Sequence, residues 1–170
     1  MKGRLPGHWL EAIGRAEVRA ALEAVYAQAA AEIAARGPAC WASGRCCNFE
    51  KTGHRLYVTG LEAAYTIALL PEIAGVRREN FPESRLRPLL LEQAAKRGGC
   101  PFQMQNLCGV HAVKPLGCRL YFCDRSAQQW QQDLSERLLG EIRAVHDRFC
   151  VEYRYGEWRE MLAGFVGAEL

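Results

Sequence analysis

Eight cysteines in a chain of 170 residues constrain this protein more than any other feature. They stand at Cys40, Cys46, Cys47, Cys100, Cys108, Cys118, Cys123 and Cys150. An even number of cysteines suits a disulfide framework in a secreted chain. The N-terminal segment argues against that compartment. Met1 to Trp9 contains no apolar h-region, and Glu11, Arg15, Glu17 and Arg19 interrupt any apolar run in the next ten residues. No run is apolar enough to predict a membrane span. The expected location is the cytoplasm, where thiols stay reduced. A group of thiols there reads as metal-binding or catalytic.

The rest of the composition is that of an ordinary globular chain, with 49% hydrophobic and 24% charged residues. That balance excludes intrinsic disorder. A net charge of +3 is too small to predict a nucleic-acid partner, and the length suits one domain.

Periodicity predicts a mainly α fold, a single domain of four to five helices around an irregular cysteine-rich layer. Val18, Leu22, Val25, Ala29 and Ile33 recur at helical steps, so one helix is expected over 9–36, ended by Gly37-Pro38. Arg55 to Thr59 has strand composition. Thr59-Gly60-Leu61-Glu62 forms a capping box for a helix running to Leu70, before Pro71. A charged connector at Arg77 to Asn80 leads to a helix from Ser84 to Arg97, with Pro88 in its first turn. Ser126 and Gln129 form a second capping box, for a helix from Ala127 to Phe149. Trp130, Leu134, Leu138, Ile142, Val145 and Phe149 form the buried stripe of that helix. A short helix covers Glu157 to Val166. The organisation is therefore an N-terminal helix at 9–36, a cysteine core at 40–124 and C-terminal helices at 126–166.

The stretch from Cys100 to Asp124 holds four cysteines and no useful periodicity. Metal ligation would give it a shape that regular structure does not. Thiolates are soft ligands for zinc, copper(I) and iron–sulphur clusters, and four of them complete a zinc site or one cluster. No C-x-x-C pair occurs, and Cys100, Cys108, Cys118 and Cys123 lie 8, 10 and 5 positions apart. Single ligands bedded among Phe102, Leu107, Leu116, Leu120, Tyr121 and Phe122 favour a cluster over a zinc knuckle. Cys47, Cys100, Cys108 and Cys118 are the leading ligands by their clustering. Adjacent side chains diverge, so Cys46 and Cys47 are not expected to bind one metal together. Cys150, at the end of the last long apolar stripe, reads as a packing thiol. His146, four residues before it, reads as a core residue, and Trp130 and Trp158 likewise.

The two groups resemble the YkgJ family of CxxCxxCC-type cysteine-cluster proteins, whose domain is described as zinc- or iron-chelating. Cys40, Cys46 and Cys47 fit its first motif. Cys100-Pro101-Phe102, Cys108, and Lys114-Pro115-Leu116-Gly117-Cys118-Arg119 with Tyr121-Phe122 fit its second. The similarity spans Cys40 to Asp124, half of the chain. Ser43 stands where the family has a further cysteine, and Lys114 replaces an arginine, which removes a planar fork. His111 takes the place of a tyrosine and is a possible nitrogen ligand. Cys123 is an addition that could replace the ligand missing at Ser43. A related arrangement in flagellin lysine methylases, which look to use an iron–sulphur cluster, adds weight to a cluster here.

The expected function is a metal-binding protein with a cysteine-ligated centre, an iron–sulphur cluster (4Fe–4S) ahead of zinc, in a structural or electron-transfer role. Its ligands come from Cys47, Cys100, Cys108 and Cys118, with Cys46, Cys123 and Cys40 in reserve, and its partner is an unidentified redox or other protein. One alternative is an enzyme whose cluster keeps an open coordination position for redox or methyl-transfer chemistry. Another is a zinc-stapled interaction module. No phosphate loop, nucleophile elbow or H-E-x-x-H motif supports a different chemistry.

Overall fold

The computed structural model describes residues 4–40, 42–70 and 88–166. The fold is mainly helical, as the periodicity predicts. The described helices are α1 (Arg4–Gly14), α2 (Ala16–Arg36), α3 (Phe49–Thr52), α4 (Gly60–Leu69), α5 (Pro88–Arg97), α6 (Leu116–Leu120), α7 (Gln128–Arg148) and α8 (Trp158–Ala163). Five of these have ten residues or more, and α3, α6 and α8 are single turns or little longer. None is long and apolar enough to cross a membrane. The strands β1 (Tyr57–Thr59), β2 (Gln103–Met104), β3 (Leu107–Cys108) and β4 (Tyr155–Glu157) make two antiparallel pairs, β1 with β4 and β2 with β3.

One hydrophobic core runs from Trp9 to Phe165. Helix α2 buries Val18, Leu22, Val25, Tyr26 and Ala29, and α7 buries Leu134, Leu138, Ile142, Val145 and His146. Trp158 is a core residue, while Trp130 packs half-buried against the core, with the Arg36 guanidinium 5.1 Å from its ring centre. Helix α4 is buried along nearly its whole length, Glu62 and Thr66 included.

The single helix expected over 9–36 is two. Arg15 is extended, with φ −75° and ψ 123°, and this breaks the chain between α1 and α2. The bend lets α1 lay Trp9, Ala12 and Ile13 into the core, off the line of the α2 stripe. Trp9 donates its indole N–H to the Glu152 carbonyl at 2.8 Å and lies flat against Gly60. A Cβ at position 60 would fall 2.1 Å from the indole ring, so only glycine fits that contact.

The capping box at Thr59 forms as expected: its hydroxyl accepts from the Glu62 N–H, and Glu62 accepts from the Thr59 N–H at 2.8 Å. The one expected at Ser126 does not. Helix α7 starts at Gln128 with no side-chain cap, and Asp124 instead accepts from the Ser126 N–H, capping the 3-10 turn before it. The strand expected over Arg55 to Thr59 begins at Tyr57 and pairs with β4, which has no alternating pattern to predict it. The ribbon ends cleanly in helices: β1 runs into α4 at Thr59, and β4 runs into α8 at Glu157, whose carboxylate accepts from the Glu160 N–H. The last helix is therefore shorter than the expected Glu157 to Val166. Helix α5 is described from Pro88 to Arg97. Pro71, the connector at Arg77 to Asn80, and Ser84 to Arg87 lie outside the described residues.

Candidate functional site

The cysteine segments lie where the long helices leave off. Residues 45–47 form one 3-10 turn, and Cys100 crosses beside it, donating its N–H to the Cys47 carbonyl at 2.8 Å. The crossing requires Gly99, where a Cβ would lie 2.8 Å from that same carbonyl oxygen. The chain then turns through β2 and β3. Their register pairs Met104 with Leu107 and Gln103 with Cys108, so Gln105 and Asn106 alone make the turn. Both have positive φ, 47° and 66°, as a tight two-residue hairpin of the I′ type requires. Gln103 reaches back and donates its side-chain N–H to the Gly44 carbonyl at 3.2 Å, tying this hairpin to the first cysteine turn.

Two buried side chains of α4 hold the next stretch in place. The Thr66 hydroxyl donates to the Val113 carbonyl at 2.8 Å. Glu62 uses one carboxylate oxygen for its own helix cap and offers the other to the Leu116 N–H, also at 2.8 Å. Leu116 opens α6, which carries Cys118. A capping residue of the scaffold thus also seats a cysteine helix.

The result is a layer of five thiols. Cys46 and Cys47 have their sulfurs 3.9 Å apart. Cys46, Cys100 and Cys108 surround Cys47, and Cys118 stands within the field of Cys100, Cys108 and Cys46. Cys47, with help from the Lys114 cation, draws the Cys46 thiol down to about 6, and its nearness draws Cys108 down to about 7. Cys47 itself is pushed the other way by Cys100, Cys108 and Cys46. Burial pushes Cys118 up, reinforced by its neighbouring thiols. Cys46 and Cys108 are thus shifted toward the thiolate, and Cys47 and Cys118 toward the thiol. Among the described residues, no group of three or more His, Cys, Asp or Glu side chains is arranged to hold a metal ion as it stands.

A cavity of about 540 Å³ opens over this layer. Cys46, Cys47, Cys108 and Cys118 line it from the thiol side, and Cys40 and Cys123 line it further out. The Cys123 sulfur lies 3.3 Å from the Ser43 hydroxyl. Cys123 thus contacts a serine that lies between Cys40 and Cys46 in the chain. Ile33, Ala34 and Phe122 supply apolar wall, and Tyr26, His111, Lys114 and Arg119 supply polar groups. The His111 ring nitrogen and the Lys114 ammonium are 3.0 Å apart, and that cation holds the imidazole below its usual range.

All seven cysteines singled out from the sequence come to this one region: Cys40, Cys46, Cys47, Cys108, Cys118 and Cys123 at the cavity, and Cys100 beneath it. Cys150 lines no part of the cavity. It is not packed in the core, as its position on the stripe suggests, because it falls past the end of α7 in a left-handed turn (φ 53°) and faces solvent. His146 is fully buried, with Nδ1 against the Val151 and Glu152 carbonyls at 3.3 and 3.1 Å, and makes no pair with Cys150. His54 is held between Phe49 and Tyr121. Tyr26 carries no motif that marks it for this region; it reaches the cavity from the edge of the α2 core stripe. No family model, curated protein or solved structure matches the chain.

Proposed function

We propose that the thiol layer binds a metal centre, and that this centre is an iron–sulphur cluster in a structural or electron-transfer role. The observation that carries the reading is the gathering of Cys46, Cys47, Cys100, Cys108 and Cys118 from two segments over fifty residues apart in sequence into one half-buried layer. The donor set fits such a group in its chemistry: soft sulfur, apolar flanks and no carboxylate among the described residues of the cavity lining. Cys47, Cys100, Cys108 and Cys118 would hold the centre, with Cys46 beside them and Cys123 and Cys40 at its outer edge. Ligation needs the thiols to turn onto a common point, which no three of them share as they stand among the described residues. A bound cluster would supply one-electron chemistry, tuned by its burial. The protein's own share is to hold four sulfurs apart from water and to set Lys114 beside the charge they acquire. The likeness of the two motifs to the YkgJ family agrees with this reading.

A second reading is favoured by one distance. Tetrahedral zinc with Zn–S bonds of about 2.3 Å sets its sulfurs about 3.8 Å apart. The Cys46 and Cys47 sulfurs are separated by 3.9 Å. Zinc would make the layer a staple that fixes the fold, leaving an outer face for a partner.

Anaerobic purification followed by absorption spectroscopy and assay of iron, sulphide and zinc separates the two. A brown protein with matched iron and sulphide supports the cluster, and a colourless protein with tightly held zinc supports the staple. Cys100→Ser, Cys108→Ser and Cys118→Ser should each abolish loading and lower stability, because ligation energy is folding energy in such sites. Unchanged metal content in all three would overturn both readings.

A further inference from the structure

The two segments that build the thiol layer contain no acidic residue. Ile33 to Phe49 and Gln93 to Cys123 carry Arg36, Arg45, Lys96, Arg97, Lys114 and Arg119, while all 19 Asp and Glu of the chain lie outside them. The net charge of +3 is therefore unevenly spread, basic in these segments and acidic in the remainder. The acids at their borders are mostly engaged elsewhere. Glu32 pairs with Arg36 and Arg137, Glu50 pairs with Arg159, and the Asp124 carboxylate accepts from the Ser126 N–H and hydroxyl. Among the described residues, no carboxylate forms an ion pair with Arg45 or Lys114. Arg45 stands exposed between Gly44 and Cys46, both of which line the cavity. Lys114 lines it directly, and its cation acts on Cys46, Cys108, Cys118 and His111.

An apolar spot lies beside these cations. The tip of the β2–β3 hairpin exposes Leu107 (59%) and Met104 (47%), which are cross-strand partners. Leu107 and Asn106 also line the cavity, so the tip is continuous with its mouth. The bond from Gln103 to the Gly44 carbonyl ties the hairpin to the turn that carries Arg45, which keeps the apolar spot and that cation on neighbouring chain segments. Exposed aliphatic side chains flanked by cations without acids suit a protein surface that is acidic around an apolar centre. Nucleic acid suits this face less well. Among the described residues, no exposed aromatic ring stands in either segment to stack a base.

We infer that the cavity mouth is a docking face for an acidic protein, with Met104 and Leu107 at the apolar centre of the contact and Arg45 and Lys114 on its charged rim. A partner seated there covers the opening over Cys46, Cys108 and Cys118. The face does not depend on which metal, if any, the thiols bind.

Photo-cross-linking in cells of the source organism, followed by binding measurements on the protein it identifies, tests the inference. Benzoylphenylalanine in place of Met104 should give one dominant product, a protein of negative net charge. The same reporter in place of Tyr155, which is as exposed (47%) on the β1–β4 ribbon, should not give it. The purified partner, titrated by calorimetry, should bind about tenfold more weakly in high salt than in low salt. Arg45→Glu should weaken it about tenfold and Leu107→Ser about fivefold, with thermal melts unchanged because both side chains are exposed. The inference is overturned by no product at Met104, by the same product at Tyr155, or by cross-linking to nucleic acid or to a protein of positive net charge. Salt-independent binding, or wild-type affinity in either variant, overturns it equally.

Discussion

The helical scaffold and the thiol layer are built on different principles. In the scaffold, α1, α2, α4 and α7 meet through long apolar stripes, and hydrophobic burial places every element. In the thiol layer the regular elements are two to five residues long. Such pieces bury too little to hold themselves in place. They are fixed by single polar contacts: Gln103 on Gly44, Thr66 on Val113, Glu62 on Leu116. A lost contact in the scaffold is shared among many neighbours, whereas a lost anchor in the layer frees a named cysteine.

The contrast can be broken first on the scaffold side. Trp9→Ala, which empties a fully buried site and removes the bond to Glu152, should cost about 4 kcal/mol in urea denaturation, and a loss under about 1 kcal/mol would contradict the core assignment. Glu62→Leu strips two buried N–H groups of their acceptor and should cost about 2–3 kcal/mol. Unlike the Trp9 variant, it should also speed alkylation of Cys118 in the folded protein, as read by mass spectrometry. Equal alkylation rates would show that Glu62 does not seat α6. Thr66→Val removes one donor and should cost about 1 kcal/mol, with the same selective effect on the Cys108 to Cys118 stretch.

Acid supplies a change of slope. Burial holds His146 below the usual imidazole range, so the folded state binds its proton less readily than the unfolded chain does. Its contribution is complete above the ordinary histidine range and is lost as pH falls through the lowered folded-state value. Denaturation midpoints should fall from about pH 7.5 to about pH 5.5 more steeply in wild type than in His146→Gln. Parallel slopes would remove His146 as a source of acid sensitivity. The smallest effect belongs to Ser43→Ala, whose exposed contact with Cys123 should be worth less than about 0.5 kcal/mol by the same denaturation assay.

The same division explains what could be read from the chain alone. The stripe on α7 and the Thr59 cap are local patterns that predict their elements nearly to the residue, and the α2 stripe does so for the end of its helix but not its start. The break at Arg15 is marked locally only by Gly14 before it. Where the bend sends α1 is non-local, since Trp9 packs on Gly60. Pairing of β1 with β4 is equally non-local, since Tyr155-Gly156-Glu157 acquires strand form only beside Tyr57 to Thr59. In the layer, the cysteines announced themselves by type and clustering. Tyr26 carries no such mark, because its place at the edge of the layer is a property of the packed molecule.

Glu62 also has a bearing on the order of assembly. Its first partner, Thr59, is three residues away, and its second, Leu116, is 54. The near contact can form as soon as α4 nucleates. The distant one must wait for closure of a long loop, at an entropic cost that local structure does not relieve. During synthesis Cys46 and Cys47 emerge well before Cys100, Cys108 and Cys118. Their partners arrive only when the chain returns to the same carboxylate. By loop length alone the thiol layer closes ahead of the Trp9–Glu152 contact, whose partners lie 143 residues apart, so joining the two ends of the core is the costlier step.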